Sequence, residues 1–176
     1  MLKLIVSFIT AVGAMASMAN ANDKPELVIY TYDSFASEWG PGPQIKTEFE
    51  KTCDCVVTFV GLDSSVGILG RIQLEGAASK ADIALGLDTS LTSVAASTGL
   101  FTPHRIETAG KLALPDDVSA WTDPHFVPYD WGYFAFNYDT SRLAEAPSSF
   151  EQLVSETNDL KIVIQDPRTA TPGMGL

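Results

Sequence analysis

Apolar runs alternate with amphipathic stretches over most of the chain. The runs at Glu26–Tyr30, Val56–Val60 and Lys80–Asp88 each have an apolar centre, and they predict three buried strands. Stretches with apolar residues three or four apart follow these runs and predict amphipathic helices at 43–51, 66–76 and 90–98. Strands joined through helices pair in parallel with right-handed crossovers, so the pattern predicts an α/β fold.

The same spacing predicts which side chains of the three helices face inward. They are Ile45 and Phe49 in the first helix, Val66, Leu69 and Ile72 in the second, and Leu91, Val94 and Ala95 in the third. Pro43 suits the first turn of a helix, and Gly99 is a typical residue just after a helix end.

The pattern changes at Phe126, where aromatic residues become dense. Aromatic side chains recur in near-alternation up to Tyr138, which predicts an extended strand across residues 127–139. Such a segment suits a crossover between two lobes. We therefore expect lobe 1 at 22–126, the crossover strand at 127–139 and the start of lobe 2 at 140–176.

Three further elements are predicted in the second lobe. Ser148 and Glu151 have the spacing of a capping box at a helix start, and 161–165 is a short apolar run typical of a strand. Thr171 and Pro172 suit the N-cap and the first residue of a last helix. One helix and two strands bury too little apolar area to fold alone, so we expect an amino-terminal fragment of a longer two-lobed protein.

The first 21 residues have the features of a secretory signal peptide. Lys3 precedes an apolar stretch, and Ala19-Asn20-Ala21 has the small-x-small pattern of a cleavage site. The apolar stretch is shorter than the roughly 20 residues of a membrane-spanning helix. We therefore expect an exported soluble protein whose mature chain begins at Asn22.

The charge balance disfavours some partners. The chain has 22 acidic and 11 basic residues and a formal net charge of −11 at pH 7. So acidic a surface repels nucleic acid and anionic lipid, and neither is an expected partner, whereas a cationic ligand is mildly favoured.

The two cysteines, Cys53 and Cys55, are separated by one residue. In an oxidising compartment such a pair can close a small disulfide. A metal site is disfavoured, because two thiols cannot fill a tetrahedral shell and His104 and His125 are far apart in the sequence. A structural disulfide is the favoured prediction, and two free thiols are the alternative.

Polar and aromatic side chains follow the first two predicted strands. Tyr32 lies at the end of the first strand with Trp39 shortly after it, and such aromatics either line a small-molecule pocket or fill core and loop gaps. Ser64 and Ser65 follow the second strand, where serines either cap the next helix or help to hold an anion. The sequence has no Gly-x-Ser-x-Gly motif and no cysteine beside a histidine, so catalysis is not expected.

Several segments together resemble the periplasmic thiamine-binding proteins of bacterial ABC importers, a family of solute-binding proteins. The segments are Tyr30–Phe35, Trp39–Pro43, Lys80–Asp88, Tyr133–Phe136 and Gln165–Thr169, and the similarity extends from Lys24 to Leu176. The resemblance implies a two-lobed type II periplasmic binding fold with lobe 1 largely present and lobe 2 truncated. It also implies a periplasmic location and binding of thiamine, thiamine monophosphate or thiamine pyrophosphate. The ligand would be delivered to a membrane permease driven by a cytoplasmic ATPase, and we expect a monomer without a cofactor.

The resemblance also implies ligand contacts at two helix starts and on an aromatic wall. The contact positions fall on Ser64, Ser65, Ala170 and Thr171, with Tyr32 and Trp39 as wall residues. Ser64 departs from the family, which often has an acidic residue there. Ala170 departs where the family often has a serine, and it could offer only its backbone N–H. Phosphates would suit the two helix starts, and aromatic rings would attract the thiazolium cation.

Other functions stay open on the residues alone. A related solute-binding protein for ferric ion or a polyamine is one, since Tyr129, Tyr133 and Tyr138 could contribute to an iron site. An exported hydrolase is another, since carboxylates could pair at strand ends; the candidates are Asp33, Asp63, Asp82 and Asp88. A third possibility, and the expectation for residues 1–176 taken alone, is that they bind nothing.

Overall fold

The computed structural model describes residues 24–107, 121–155 and 159–175, and the predicted signal peptide at 1–21 lies outside these ranges. The elements are β1 (Glu26–Tyr32), α1 (Asp33–Ala36), α2 (Gly42–Cys53), β2 (Val56–Leu62), α3 (Ser65–Glu75), a 3₁₀ turn (Gly76–Ala78), β3 (Ile83–Ala84), α4 (Thr92–Ser97), α5 (Phe150–Leu153) and α6 (Thr171–Met174). Within the three described ranges, no helix combines the length and the apolar composition that crossing a bilayer requires.

The strand β1 is the centre of a parallel sheet with the order β2-β1-β3. It pairs with β2 along its whole length, from Glu26 opposite Val56 to Tyr32 opposite Leu62. The pairing with β3 is confined to Ile83 and Ala84 and is extended by single hydrogen bonds on either side. The predicted α/β fold is confirmed, although the third strand is much shorter than residues 80–88. All three strands run in one direction, so the residues that follow them meet at one edge of the sheet.

The core lies between the sheet and the helices α3 and α4. Tyr30, Ile68 and Ile72 form one buried cluster, with Val28 and Val60 among the partly buried side chains around it. A second cluster contains Leu69, Leu91 and Ala95, and residues as distant as Phe126 and Met174 pack against it. The segments after residue 125 are therefore held against the amino-terminal part through apolar contacts.

The predicted helix faces are confirmed in part. In α3, Leu69 and Ile72 are buried and Val66 is partly buried, as predicted, and Ile68, which the spacing did not select, is fully buried as well. Val94 is 50% exposed, since α4 is only six residues long and buries only Ala95 along its length.

The helix α2 packs on the sheet through polar side chains. Lys46 Nζ donates to the Val57 carbonyl at 2.6 Å, and Glu50 Oε1 accepts from the Val57 N–H at 2.7 Å. Ile45 and Phe49, which the spacing placed inward, are 43% and 46% exposed. That prediction was wrong because Lys46 and Glu50 occupy the side of the helix that meets β2.

The turn between α2 and β2 contains the two cysteines. Cys53 and Cys55 are joined in a disulfide with their Cα atoms 5.2 Å apart. Asp54 between them has φ of +50°, in the left-handed region that aspartate tolerates better than most residues. The bridge therefore closes the turn that leads from the helix into the edge strand.

A polar network stabilises the outer end of α3. The Tyr30 hydroxyl and Arg71 Nε each donate to the carboxylate of Glu75 at 2.9 Å, and Ser79 Oγ donates to it as well. The Arg71 guanidinium also lies 4.9 Å from the centroid of the Tyr30 ring. The hydrogen bonds from Arg71 and then from Tyr30 lower the pKa of Glu75 below its ordinary value of 4.5.

Neither strand predicted after residue 126 forms in the structure. Residues 127–139 and 161–165 have no strand pairing. A strand needs a neighbour that accepts and donates along its length, and within the described ranges the sheet has only β1, β2 and β3. Large apolar side chains of both segments are exposed as a result; they include Trp131, Tyr133, Phe136, Val163 and Ile164.

The helix start predicted at Ser148 is displaced by one residue. Ser149 is the N-cap of α5, and its Oγ accepts from the Gln152 N–H at 3.1 Å. Gln152 returns the contact through Oε1, which accepts from the Ser148 N–H at 2.7 Å. The cap therefore pairs serine with glutamine, and Glu151 is not its partner.

Candidate functional site

A cleft lies at the edge of the sheet where the three strands end. Its volume is about 500 Å³, within the roughly 300–1,000 Å³ typical of small-molecule sites. Residues at the ends of β1, β2 and β3 and just after them form one wall, residues of the segment 165–172 form the other, and Asp130 also lines the cleft. Open α/β sheets bind ligands at this position, just outside the carboxyl ends of their strands.

Ser64 and Ser65 lie in the first wall, at the start of α3. Ser64 is the N-cap, with Oγ accepting from the Gly67 N–H at 3.1 Å and donating to Asp63 Oδ1 at 3.2 Å. Ser65 is the first residue of the helix and is 4% exposed. Ser64 therefore caps the helix, as serine in this position often does.

Thr171 lies opposite Ser65, and the two side chains are in contact. Their hydroxyl oxygens are 2.6 Å apart, in a hydrogen bond between residues 106 positions apart in the sequence. Either hydroxyl can be the donor. The structure thus brings together two of the residues for which the sequence predicted ligand contacts, one from each predicted lobe.

Ala170 also lies in the second wall, but its backbone N–H already has a partner. That N–H donates to the Asp166 carbonyl at 3.0 Å. Ala170 is the N-cap of α6 and Thr171 its first residue, so the predicted helix start was one position late. The tight turn from Asp166 fixes this register. Gly173 makes it possible, because a Cβ there would lie 2.8 Å from the Asp166 carbonyl group.

Tyr32 is the aromatic residue of the cleft. Its ring lies against Gly86, which has φ of +104° and no side chain to obstruct it. Burial, followed by the charge of Asp130 and the hydroxyl of Tyr129, raises the pKa of Tyr32. The hydroxyl of Tyr32 therefore stays protonated at neutral pH and can donate a hydrogen bond.

Trp39 does not line the cleft. It lies between α1 and α2 and is 80% exposed. The sequence predicted that Trp39 lies near Tyr32 because both follow the same strand. In the structure, α1 separates the two residues and the indole lies outside the cleft. Its predicted place on the wall next to Tyr32 is not seen in the structure.

Three carboxylates line the cleft: Asp63, Asp88 and Asp130. Asp88 Oδ1 accepts from the backbone N–H and the hydroxyl of Ser90, and its Oδ2 is buried without a hydrogen-bond partner within the described residues. Asp63 and Asp88 are two of the strand-end carboxylates that the sequence offers as candidates for catalysis. The cleft position of Asp130 was missed, and only its place beside aromatic Tyr129 and Trp131 hinted at it.

The cleft offers an aromatic ring, hydroxyls and carboxylates, which suit a small organic cation. Within the described ranges, no group of three or more His, Cys, Asp or Glu is arranged to hold a metal ion. Of the tyrosines considered for iron, Tyr129 packs edge-on against Phe35 with ring centroids 5.6 Å apart. Tyr133 packs instead against Trp131. These two tyrosines therefore contact different neighbours.

Comparison with known proteins agrees with this architecture. The chain is 49% identical over 176 residues to a thiamine-binding periplasmic protein of Brucella abortus, covering 100% of this chain and 51% of that protein. It is 46% identical over 153 residues to the protein of the same name from Escherichia coli K12, covering 87% of this chain and 46% of the relative. The chain thus spans about half the length of the curated relatives it matches.

A solved structure supports the fold directly. The structure of a periplasmic thiamin binding protein superposes with a TM-score of 0.79 at 45% sequence identity, covering 86% of this chain and 46% of the other. Residues 78–174 match the family model described as bacterial extracellular solute-binding protein. On these grounds the chain belongs to the bacterial extracellular solute-binding proteins.

Proposed function

We propose that this chain forms the first lobe and the start of the second lobe of a periplasmic substrate-binding protein that takes up thiamine or its phosphate esters. The observation that carries the proposal is the cleft at the end of the sheet, which gathers Tyr32, Ser65 and Thr171. The relatives that share about half their length with this chain are named for binding thiamine. The predicted lobe boundaries at 126 and 139 are part of the proposal.

The residues of the cleft suit the chemistry of thiamine. The thiazolium ring carries a fixed positive charge, and the face of Tyr32 can attract it by about 0.5 to 2 kcal/mol. The Ser65 and Thr171 hydroxyls bond to each other, and either can turn to a polar group of the aminopyrimidine. A ligand that contacts both walls would hold the two lobes together, which is how such clefts close.

The proposed role is binding and delivery without catalysis. The bound vitamin would be passed to a membrane permease driven by a cytoplasmic ATPase, and the protein would act as a monomer in the periplasm. The relatives are likewise named as binding proteins.

The test is a binding measurement with two proteins. One is the chain from residue 22, and the other is a chimera that joins it to the remaining carboxyl-terminal half of the Brucella abortus relative. Isothermal titration with thiamine should give saturable binding to the chimera and no heat of binding with the shorter chain. A chimera that unfolds cooperatively but shows no heat of binding with thiamine or either ester would refute the proposal.

Two matched aromatic substitutions make the test specific to the cleft. Tyr32→Leu should weaken thiamine binding by about tenfold, since the lost attraction is near 1.4 kcal/mol. Trp39→Leu removes an exposed aromatic ring that lies outside the cleft, so it should leave affinity unchanged. Equal losses in both variants would show that the aromatic wall lies elsewhere.

A polyamine is the second candidate ligand, because three carboxylates line the cleft. Spermidine is the probe for it. In competition experiments on the chimera, the preferred ligand displaces the other at the lower concentration. If that ligand is spermidine, the protein is a polyamine-binding protein.

A further inference from the structure

We propose that the Cys53–Cys55 disulfide is a surface site for thiol–disulfide exchange, which a dithiol opens by attack at Cys53 while the sheet stays folded. The inference goes beyond the proposed function, since it concerns another part of the molecule. Both cysteines of the sequence are in this bridge. The bridge precedes β2, whereas the cleft lies at the other end of that strand. The length of β2 therefore separates the bridge from the cleft by roughly 20 Å.

The size of the closed loop is the first argument. The bridge joins residues two positions apart in the sequence, so the loop consists of Cys53, Asp54 and Cys55. In the chain-entropy account, a disulfide stabilises a fold by restricting the unfolded chain, and the effect grows with the length of the loop. A loop this short should give only about half the effect of a 15-residue loop. Opening the bridge should therefore cost the fold little stability.

The second argument is that other contacts hold the turn in place. Lys46 and Glu50 of α2 bond to the backbone carbonyl and N–H of Val57, at 2.6 and 2.7 Å. The Val56 N–H donates to the Pro25 carbonyl at 2.9 Å, and β2 pairs with β1 along its whole length. These contacts do not depend on the sulfur atoms. The end of α2 and the start of β2 should therefore keep their positions when the bridge is open.

The third argument is the unequal exposure of the two cysteines. Cys53 is partly exposed, whereas Cys55 is buried, with 9% of its surface exposed. The side chain of Asp54 between them is 90% exposed, so the turn lies at the protein surface. The rate of thiol–disulfide exchange depends on access to the sulfur that is attacked. Cys53 is therefore the residue that an incoming thiolate attacks, and Cys55 is the leaving group.

The exchange has two steps. A thiolate of the dithiol forms a bond to Cys53 Sγ, the bond between the two cysteine sulfurs breaks, and its electron pair leaves with Cys55 Sγ, which takes up a proton. The second thiolate of the dithiol then closes the disulfide of that molecule and releases Cys53, which takes up a second proton. Two electrons and two protons thus pass to the protein, and the dithiol is oxidised.

The position of the bridge on α2 distinguishes such a site from a redox catalyst. Cys53 is the last residue of the helix. The negative end of the helix dipole disfavours a thiolate, whereas catalytic cysteines are activated at helix starts or beside basic groups. Cys53 should therefore be a poor attacking group toward the disulfides of other proteins. The bridge is a substrate of exchange and not its catalyst.

The first experiment measures how readily the bridge opens in the folded protein. The oxidised chain from residue 22 and the chimera are treated with dithiothreitol, alkylated with iodoacetamide and mapped by mass spectrometry. Cys53 and Cys55 should be reduced at a rate within about tenfold of the rate in unfolding concentrations of guanidinium chloride. The urea midpoint of the reduced protein should lie less than about 1 M below that of the oxidised protein. A slower reduction or a larger loss of stability would overturn the inference.

Two matched variants test which sulfur is open to attack. Cys55→Ser leaves the thiol of Cys53, and Cys53→Ser leaves the thiol of Cys55. With dithiodipyridine as the probe, the Cys53 thiol should react at least about fivefold faster in the folded proteins, and the two thiols should react alike in guanidinium chloride. A smaller ratio in the folded proteins would overturn the assignment to Cys53. The wild-type protein gives a measurement that needs no variant: after treatment with reduced glutathione and quenching in acid, the trapped mixed disulfide should map to Cys53, and mapping to Cys55 would contradict the proposal.

Discussion

Replacing Gly86 with alanine should destabilise the protein and weaken the cleft at once. A Cβ at this position would lie 2.5 Å from Cδ1 of Tyr32 and would overlap Cε1, whereas carbon atoms in contact are normally about 3.5–4.0 Å apart. The backbone φ of +104° is also unfavourable for any residue with a side chain. Either the Tyr32 ring leaves its place or the backbone of β3's exit loop moves.

The expected loss combines both effects. Backbone strain of this kind costs about 1–3 kcal/mol and forced overpacking a similar amount, so we expect a decrease of about 3 kcal/mol in the free energy of unfolding. With a urea dependence of about 2 kcal/mol per molar, the midpoint of unfolding should fall by about 1.5 M. Thiamine affinity of the chimera should fall as well, because the displaced ring no longer faces the cleft.

Gly70→Ala is the control for this substitution. Gly70 lies inside α3, and a Cβ there would meet nothing within 4 Å. A helix with alanine at an interior position is more stable than one with glycine by about 0.5–1 kcal/mol, so this variant should be more stable than the wild type. The stability of both variants is measured by urea unfolding monitored by circular dichroism. If Gly86→Ala unfolds at the wild-type midpoint or above it, the argued packing of Tyr32 on Gly86 is wrong.

The remaining predictions concern the contact between the walls and the network on α3. Ser65→Ala and Thr171→Val should each lower stability by about 1 kcal/mol, and the double variant should lose less than the sum because one hydrogen bond joins the two residues. Additive losses in urea unfolding would show that the hydroxyls act separately. The lowered pKa of Glu75 stabilises the fold above its unfolded pKa near 4.5, and this contribution is lost as pH falls through the folded value. The free energy of unfolding, measured from about pH 6 to about pH 3, should therefore vary less with pH in Glu75→Gln than in the wild type. An identical pH dependence in the two proteins would contradict the stabilising role of the Glu75 network.

The features of the fold that depend on residues close together in the sequence could be predicted. The strand runs and their intervening helices are local patterns, and the parallel sheet followed from them. The start of α3 at Ser64 and Ser65 was also predictable, since a serine cap needs only the amides of the next turn. The position of these residues beside a cleft follows from the ends of parallel strands meeting at one edge.

What depended on distant partners could not be predicted. The inward side of α2 was misassigned because Lys46 and Glu50 bond to Val57 on a neighbouring strand, which apolar spacing does not reveal. The strands expected at 127–139 and 161–165 have suitable residues but no described strand beside them. The place of Asp130 in the cleft depends on how its segment runs past the sheet, so no local pattern marked it.

The polar contacts of α2 have a consequence for how the sheet can be completed. Lys46 and Glu50 bond to the backbone groups of Val57. These contacts make β2 a poor template for an additional strand. On the opposite side, β3 has no neighbour beyond it within the described ranges. An additional strand could therefore join the sheet only beside β3, next to Ile83 and Ala84. It would extend the edge of the cleft, and the outer edge of β2 would stay unpaired with any strand.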